Sequence, residues 1–152
     1  MTVNTAFVAG DILTAAQQNN FGRGLMATPA TSISPATTTF TSETQMLAYT
    51  FTQVIGRNYL LQYFEPSLTG TAAGTITARI TTGVAGTPYN SSTSALAILV
   101  SNTAMVTVVY TAGASNSLTI YATLAASSGT GTATRSATRF PQLYAVDIGT
   151  GY

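Results

Sequence analysis

From residue 37 onward the period changes to two: in run after run, large apolar side chains return at every second position. Successive side chains of a strand point to opposite faces, so a period of two is satisfied by pleated strands and not by helices. In Leu47-Ala48-Tyr49-Thr50-Phe51-Thr52 the large residues take alternate positions. Ile76, Ala78 and Ile80 alternate with Thr75, Thr77, Arg79 and Thr81, which predicts a strand with one wet face. Val106, Val108 and Tyr110 alternate with Met105, Thr107 and Val109, and Leu118, Ile120, Ala122 and Leu124 with Thr119, Tyr121 and Thr123. One run departs from this scheme. Tyr59, Leu61 and Tyr63 alternate with Leu60, Gln62 and Phe64, so both faces are rich in apolar groups and the strand is expected to be buried on two sides. Gly56-Arg57-Asn58 and Gly113-Ala114-Ser115-Asn116 read as hairpin turns between neighbouring runs. Thr makes up roughly a fifth of the chain. Its β-branch is stiff and suits a pleated surface, so composition and period agree. About eight strands at this spacing predict a mainly β chain, an antiparallel β-sandwich of jelly-roll-like or immunoglobulin-like type.

The first 35 residues read differently. Thr14 and Gln17 form a capping box, in which the hydroxyl accepts a backbone N–H and the amide reaches back. Alanines and glutamines then carry a short helix to Phe21, and Gly22 and Gly24 stop it. A helix this short must dock on something, through Leu13, Ala16 and Phe21. Leu25 to Pro35 reads as a linker, because Pro29, Pro35 and the hydroxyl residues between them resist helix and central strand. The domain plan is an N-terminal arm over 1–35, with the short helix and linker, and a β-sandwich over 36–152. Residues 82–90 read as a surface loop, and 125–134 as a long loop or a glycine-loosened strand pair.

Charge is scarce. Only 6% of residues are charged, against about 25% in an ordinary soluble domain. Five arginines face four acids, for a net charge of +1. There is no Cys, His, Trp or Lys. A cysteine nucleophile, a disulfide framework, a histidine base and a Cys- or His-ligated metal are thereby excluded, and no metal or other cofactor is expected. Arg135 and Arg139 are the nearest approach to a basic cluster, too little for nucleic-acid binding. So uncharged a surface is expected to be covered by copies of the chain or by partners. The longest apolar run, Ala95 to Val100, is far below the ~20 residues of a membrane span. No Lys or Arg precedes the first apolar stretch and Asp11 interrupts it, so the N-terminus does not read as a secretory signal, and the chain is expected to start near Met1 in the cytoplasm of the cell that makes it.

No constellation for catalysis emerges. Asp11, Glu43, Glu65 and Asp147 are the only carboxylates, each with an arginine to pair with and nothing that sets the separation a glycosidase needs. Gly129-Thr130-Gly131 lacks the third glycine and the helix of a dinucleotide site. Asn90-Ser91-Ser92 is a sequon without a secretion context. The chain therefore reads as no enzyme. Tyr89, placed by this reading in an exposed loop, is the candidate for stacking on a sugar.

The segment from Phe7 to Asn19 resembles one found near the N-termini of tailed-bacteriophage virion proteins: minor tail proteins, tail fibres and other appendage proteins. Phe7, Gly10, Asp11, Leu13, Thr14, Ala15 and Asn19 carry the match. Tyr144-Ala145-Val146-Asp147-Ile148-Gly149 is similar to the ending of small phage tail proteins, though the second acidic residue is missing and Thr150 stands where Pro is usual. The resemblance implies a virion structural protein on the particle exterior, either a minor tail or fibre component or a capsid decoration protein. The seven N-terminal residues would anchor it to the particle. The partners implied are copies of itself, with a trimer expected, and other virion proteins. A host-receptor or glycan-binding sandwich is the alternative. Neither reading involves nucleic acid or membrane insertion.

Overall fold

A computed structural model of the chain describes residues 18, 20–96 and 100–150. The N-terminal helix, apart from its last residues, and all seven proposed anchoring residues lie outside that set. Among the described residues there are eleven strands in two antiparallel sheets. In the front sheet, β1 (Gly24–Leu25) and β2 (Ala30–Thr31) pair with β11 (Gln142–Thr150), and β3 (Thr37–Phe40) pairs with β10 (Gly131–Thr134). β10 and β11 both pair with β5 (Arg57–Gly70), whose opposite edge carries β8 (Asn102–Thr111). Leu68 shows both sides of β5, opposite Ala133 on one edge and Asn102 on the other. The back sheet runs β4 (Thr44–Gln53), β9 (Asn116–Ala126), β6 (Gly74–Thr81) and β7 (Pro88–Leu96).

β1, β2 and β3 thus form one interrupted edge lane, and β10 and β11 one interrupted inner lane. Eight lanes result. The front sheet takes the first, last, third and sixth of them in chain order, and the back sheet the second, seventh, fourth and fifth. That winding is a jelly roll, so of the two sandwich types expected the chain adopts this one.

Three local expectations are corrected. Gly56-Arg57-Asn58 and Gly113 to Asn116 are not hairpins. Each carries the chain from one sheet to the other, because β4 pairs with β9 and β5 with β8. The two arches pack on one another, with Gly56 N–H donating to the Ala112 carbonyl at 2.9 Å and Ala112 N–H to the Arg57 carbonyl at 2.9 Å. The 25–35 segment is not a free linker. Its short strands are laid along β11, Met26 N–H donates to the Ala145 carbonyl at 3.0 Å, and the Tyr49 hydroxyl on β4 donates to the Ala27 carbonyl at 3.1 Å. Neither reading of 125–134 holds: β9 ends at Ala126 in the back sheet and β10 starts at Gly131 in the front sheet, where it pairs with β3 and β5, so residues 127–130 are another short crossing between the sheets.

The core lies between the sheets. β5 sends Tyr59, Leu61 and Tyr63 inward, each fully buried, against Ile80, Ile120 and Leu124 of the back sheet. Burying a side chain of this size is worth about 1.5–3 kcal/mol relative to leaving it in water. Phe51 meets Tyr59 with ring centroids 5.1 Å apart.

Candidate functional site

The two outer faces of the sandwich differ in chemistry. On the back sheet the outward positions are rich in hydroxyls, Thr50, Thr52, Thr119, Thr75, Thr77 and Thr93, with Ala48, Tyr121 and Arg79 among them. Some bond across the strands, Thr50 to Thr119 at 2.8 Å and Thr77 to Thr93 at 3.3 Å. This is the wet face that the alternation around Thr75 predicts.

The front sheet is the opposite. Val109, Leu60, Val146 and Leu25 stand side by side across β8, β5, β11 and β1. Four residues further along β5, Phe64 lies between Met105 and Gln142. Met105, Val109 and Leu25 are 57, 56 and 51% exposed. Between the all-apolar Leu60 row and the mixed Phe64 row runs a middle row of Thr107, Gln62 and Tyr144. Two of its three polar side chains, Gln62 and Tyr144, are already engaged. The Tyr144 hydroxyl donates to Gln62 Oε1 at 2.7 Å, and Gln62 Nε2 donates to the Met105 sulfur at 3.3 Å. Nearby, the Thr111 hydroxyl donates to Asn58 Oδ1 at 2.6 Å. No outward position on β5, β8 or β11 is charged.

The β5 run was expected to be buried on two sides. Its inner face is, but Leu60, Gln62 and Phe64 are only half-buried, by neighbours within their own sheet. This is the site that sequence reasoning missed. Its signal was present in the two-sided apolar run and was read as internal burial. Large contiguous apolar surfaces on a chain mark places where something else binds.

The other predicted site residue stands elsewhere. Tyr89 is not in a loop. It is the second residue of β7, half-buried against the core, edge-on to Tyr110 with centroids 5.1 Å apart and planes at 71°. Burial pushes its phenol pKa up. The free ring that sugar stacking at this position requires is not what the fold supplies.

The three described carboxylates are each held by an arginine. Asp147 grips Arg57 bidentately, at 2.6 Å from Nε and 2.8 Å from Nη2, with both side chains buried. Glu43 accepts from Arg79 at 3.2 Å, from Ala85 N–H at 3.2 Å and from the Thr123 hydroxyl at 2.7 Å. Glu65 accepts from Tyr63 at 2.9 Å and lies 3.4 Å from Arg135 in the core. Asp11 lies outside the described residues. Among the described residues no three of His, Cys, Asp and Glu cluster to hold a metal. No helix among them is long and apolar enough to cross a membrane.

No family model and no curated protein matches this sequence. A solved structure described as "CBM4 structure and function" is similar over 82% of this chain and 92% of its own, at 16% identity and a TM-score of 0.38. At that level the likeness carries no argument about a ligand.

Proposed function

We propose that the chain is a non-enzymatic structural protein of a bacteriophage virion, a jelly-roll module that works by protein–protein contact on the particle exterior. The observation that carries the contact role is the uncharged outer face of the front sheet. Its apolar side chains gain by leaving water, and Gln62 and Tyr144 of its middle row are already bonded, so a covering protein has only a few polar groups, Thr107 and Gln142 among them, to satisfy. Sugar recognition needs polar groups that are free to meet hydroxyls. On this face Gln62, Tyr144 and Asn58 are already occupied by neighbours, which leaves few polar side chains, Thr107 and Gln142 among them, to meet a sugar. The virion setting rests on the resemblance carried by Phe7, Gly10, Asp11, Leu13, Thr14, Ala15 and Asn19. These residues would fasten the arm to the particle while the sandwich is displayed. The glycan-binding alternative keeps one supporting feature, the half-buried rings of Phe64 and Tyr144 on an open sheet.

The test is recovery of the chain from purified phage particles made by the cell that encodes it, compared with a chain lacking residues 1–17. Full-length chain present in stoichiometric amounts, with the truncation absent, is the expected result. Absence of the full chain from particles, together with saturable binding on a glycan array, would put the sugar-binding reading in its place.

A further inference from the structure

Resting on the reading of the front-sheet face as an interface, we infer that its occupant is the same face of a second copy, packed sheet on sheet about a two-fold axis. The absence of charge is the first reason. An oppositely charged partner finds nothing to complement on this face, whereas an identical face meets no like-charge penalty. The second reason is the order of the rows. A two-fold axis along the middle row of Thr107, Gln62 and Tyr144 lays the Leu60 row of one copy over the Phe64 row of the other. Val109 then meets Met105, Leu60 meets Phe64 and Val146 meets the Gln142 side chain, and the polar row meets itself. An isologous contact requires this kind of self-complementarity.

Sideways growth of the sheet is obstructed, which leaves stacking. On the β7–β8 side, the Asn90 amide donates to the Thr107 carbonyl at 2.8 Å and the Asn102 amide to the Ala95 carbonyl at 3.1 Å. On the far side the edge lane is broken into three short strands. Native sheets use short or covered edges to prevent strand addition. Four lanes about 4.8 Å apart and about seven residues at 3.3 Å each give a flat footprint of roughly 450 Å². Side-chain relief raises this toward the ~800 Å² per partner of a standard interface, so association is expected to be reversible and concentration-dependent.

The experiment is sedimentation equilibrium of the full chain and of Val109→Asp, Met105→Glu and Thr77→Asp. The first two place a charge on the front face at well-exposed positions, and the third places one on the hydroxyl face. The expected result is a dimer for the full chain and for Thr77→Asp. For the two front-face variants the dissociation constant should rise about a hundredfold or more, with an unchanged circular-dichroism spectrum. The chain has no cysteine. Thr107→Cys, beside the proposed axis, should therefore oxidise to a covalent dimer, while Thr77→Cys should not. A full chain that stays monomeric at millimolar concentration overturns the inference, as does an oligomer that persists unchanged in both front-face variants. Particle incorporation separates the two levels. If the chain is monomeric and Val109→Asp still removes it from particles, the face is an interface with another occupant. If Val109→Asp incorporates fully, the interface reading itself falls.

Discussion

Asp147 and Arg57 stand 90 positions apart in the sequence and meet in a buried bidentate pair. The same guanidinium donates to the Phe21 carbonyl at 2.6 Å, and Asp147 also accepts from Gly149 N–H at 2.9 Å. One ion pair thus holds the root of the N-terminal arm against the end of the chain. Burial by itself raises the Asp147 pKa, but the bonds from Arg57 and Gly149 and the Arg57 charge outweigh it, leaving the carboxyl below its ordinary 3.8. A lowered carboxyl contributes stability that is present above 3.8 and is lost as the pH falls through its folded value. Acidification below that range should therefore free the Gly24–Leu25 strand, read as loss of hydrogen-exchange protection at the Met26 amide. Asp147→Asn leaves a buried guanidinium without its counter-charge and should cost about 3–5 kcal/mol in denaturant titration at neutral pH. Its acid sensitivity should be weaker than that of the parent. Gly149 makes a second point at this scale. Its φ is +106°, and a Cβ there would stand 2.5 Å from the Asn20 carbonyl oxygen. Gly149→Ala is expected to cost about 1–3 kcal/mol and to displace the arm root, seen in the same exchange measurement.

β5 joins three roles in one element: it carries the core, a buried charge and the candidate interface. Its inner end holds Glu65, which burial raises above its ordinary carboxyl value despite the nearby Arg135 charge and the hydrogen bonds from Tyr63 and Arg135. Glu65 Oε1 and Arg135 Nε find no hydrogen-bond partner among the described residues. A carboxyl raised by folding contributes less to stability as the pH climbs through its folded value, so this pair is a poor source of stability at neutral pH. Arg135→Met alone should cost about 3–5 kcal/mol, because it strands a buried anion. Adding Glu65→Gln should recover most of that loss, and a double-mutant cycle in denaturant measures the coupling. The element scale is also where legibility ended. The alternation of β4, β5, β8 and β9 was plain in the sequence, and so were the breaks at Gly56 and Gly113. Whether such a break turns back in the same sheet or crosses to the other is not a local property. A glycine-containing turn between two period-two runs serves a hairpin and an arch alike. Pairing with strands more than 30 residues away decides between them, as β5 with β8 and β4 with β9 do.

At the scale of the molecule, the scarcity of charge resolves into two different surfaces. Threonine predominates on the back sheet, and the front carries uncharged side chains, apolar groups around a polar row. A chain whose front face is covered by a second copy gains stability by mass action. Its melting temperature should therefore rise with protein concentration, and Val109→Asp should remove that dependence while leaving the melting temperature at high dilution nearly unchanged. Scanning calorimetry over a concentration series makes the comparison.

The sequence alone determined that the chain is an antiparallel sandwich, because a period of two forces strands wherever it occurs. It determined the wet face of β6, because Thr alternating with Ile and Ala allows one orientation only. It also marked β5 as unusual, because apolar groups occupy both of its faces. Only the tertiary structure decided the jelly-roll winding, the strapping of Gly24–Leu25 and Ala30–Thr31 along β11, and the packing of Tyr89 against Tyr110. It alone decided that the second apolar face of β5 points outward. These outcomes depend on which distant strands become neighbours, a choice made by the energy of burying the whole core and not by any local pattern.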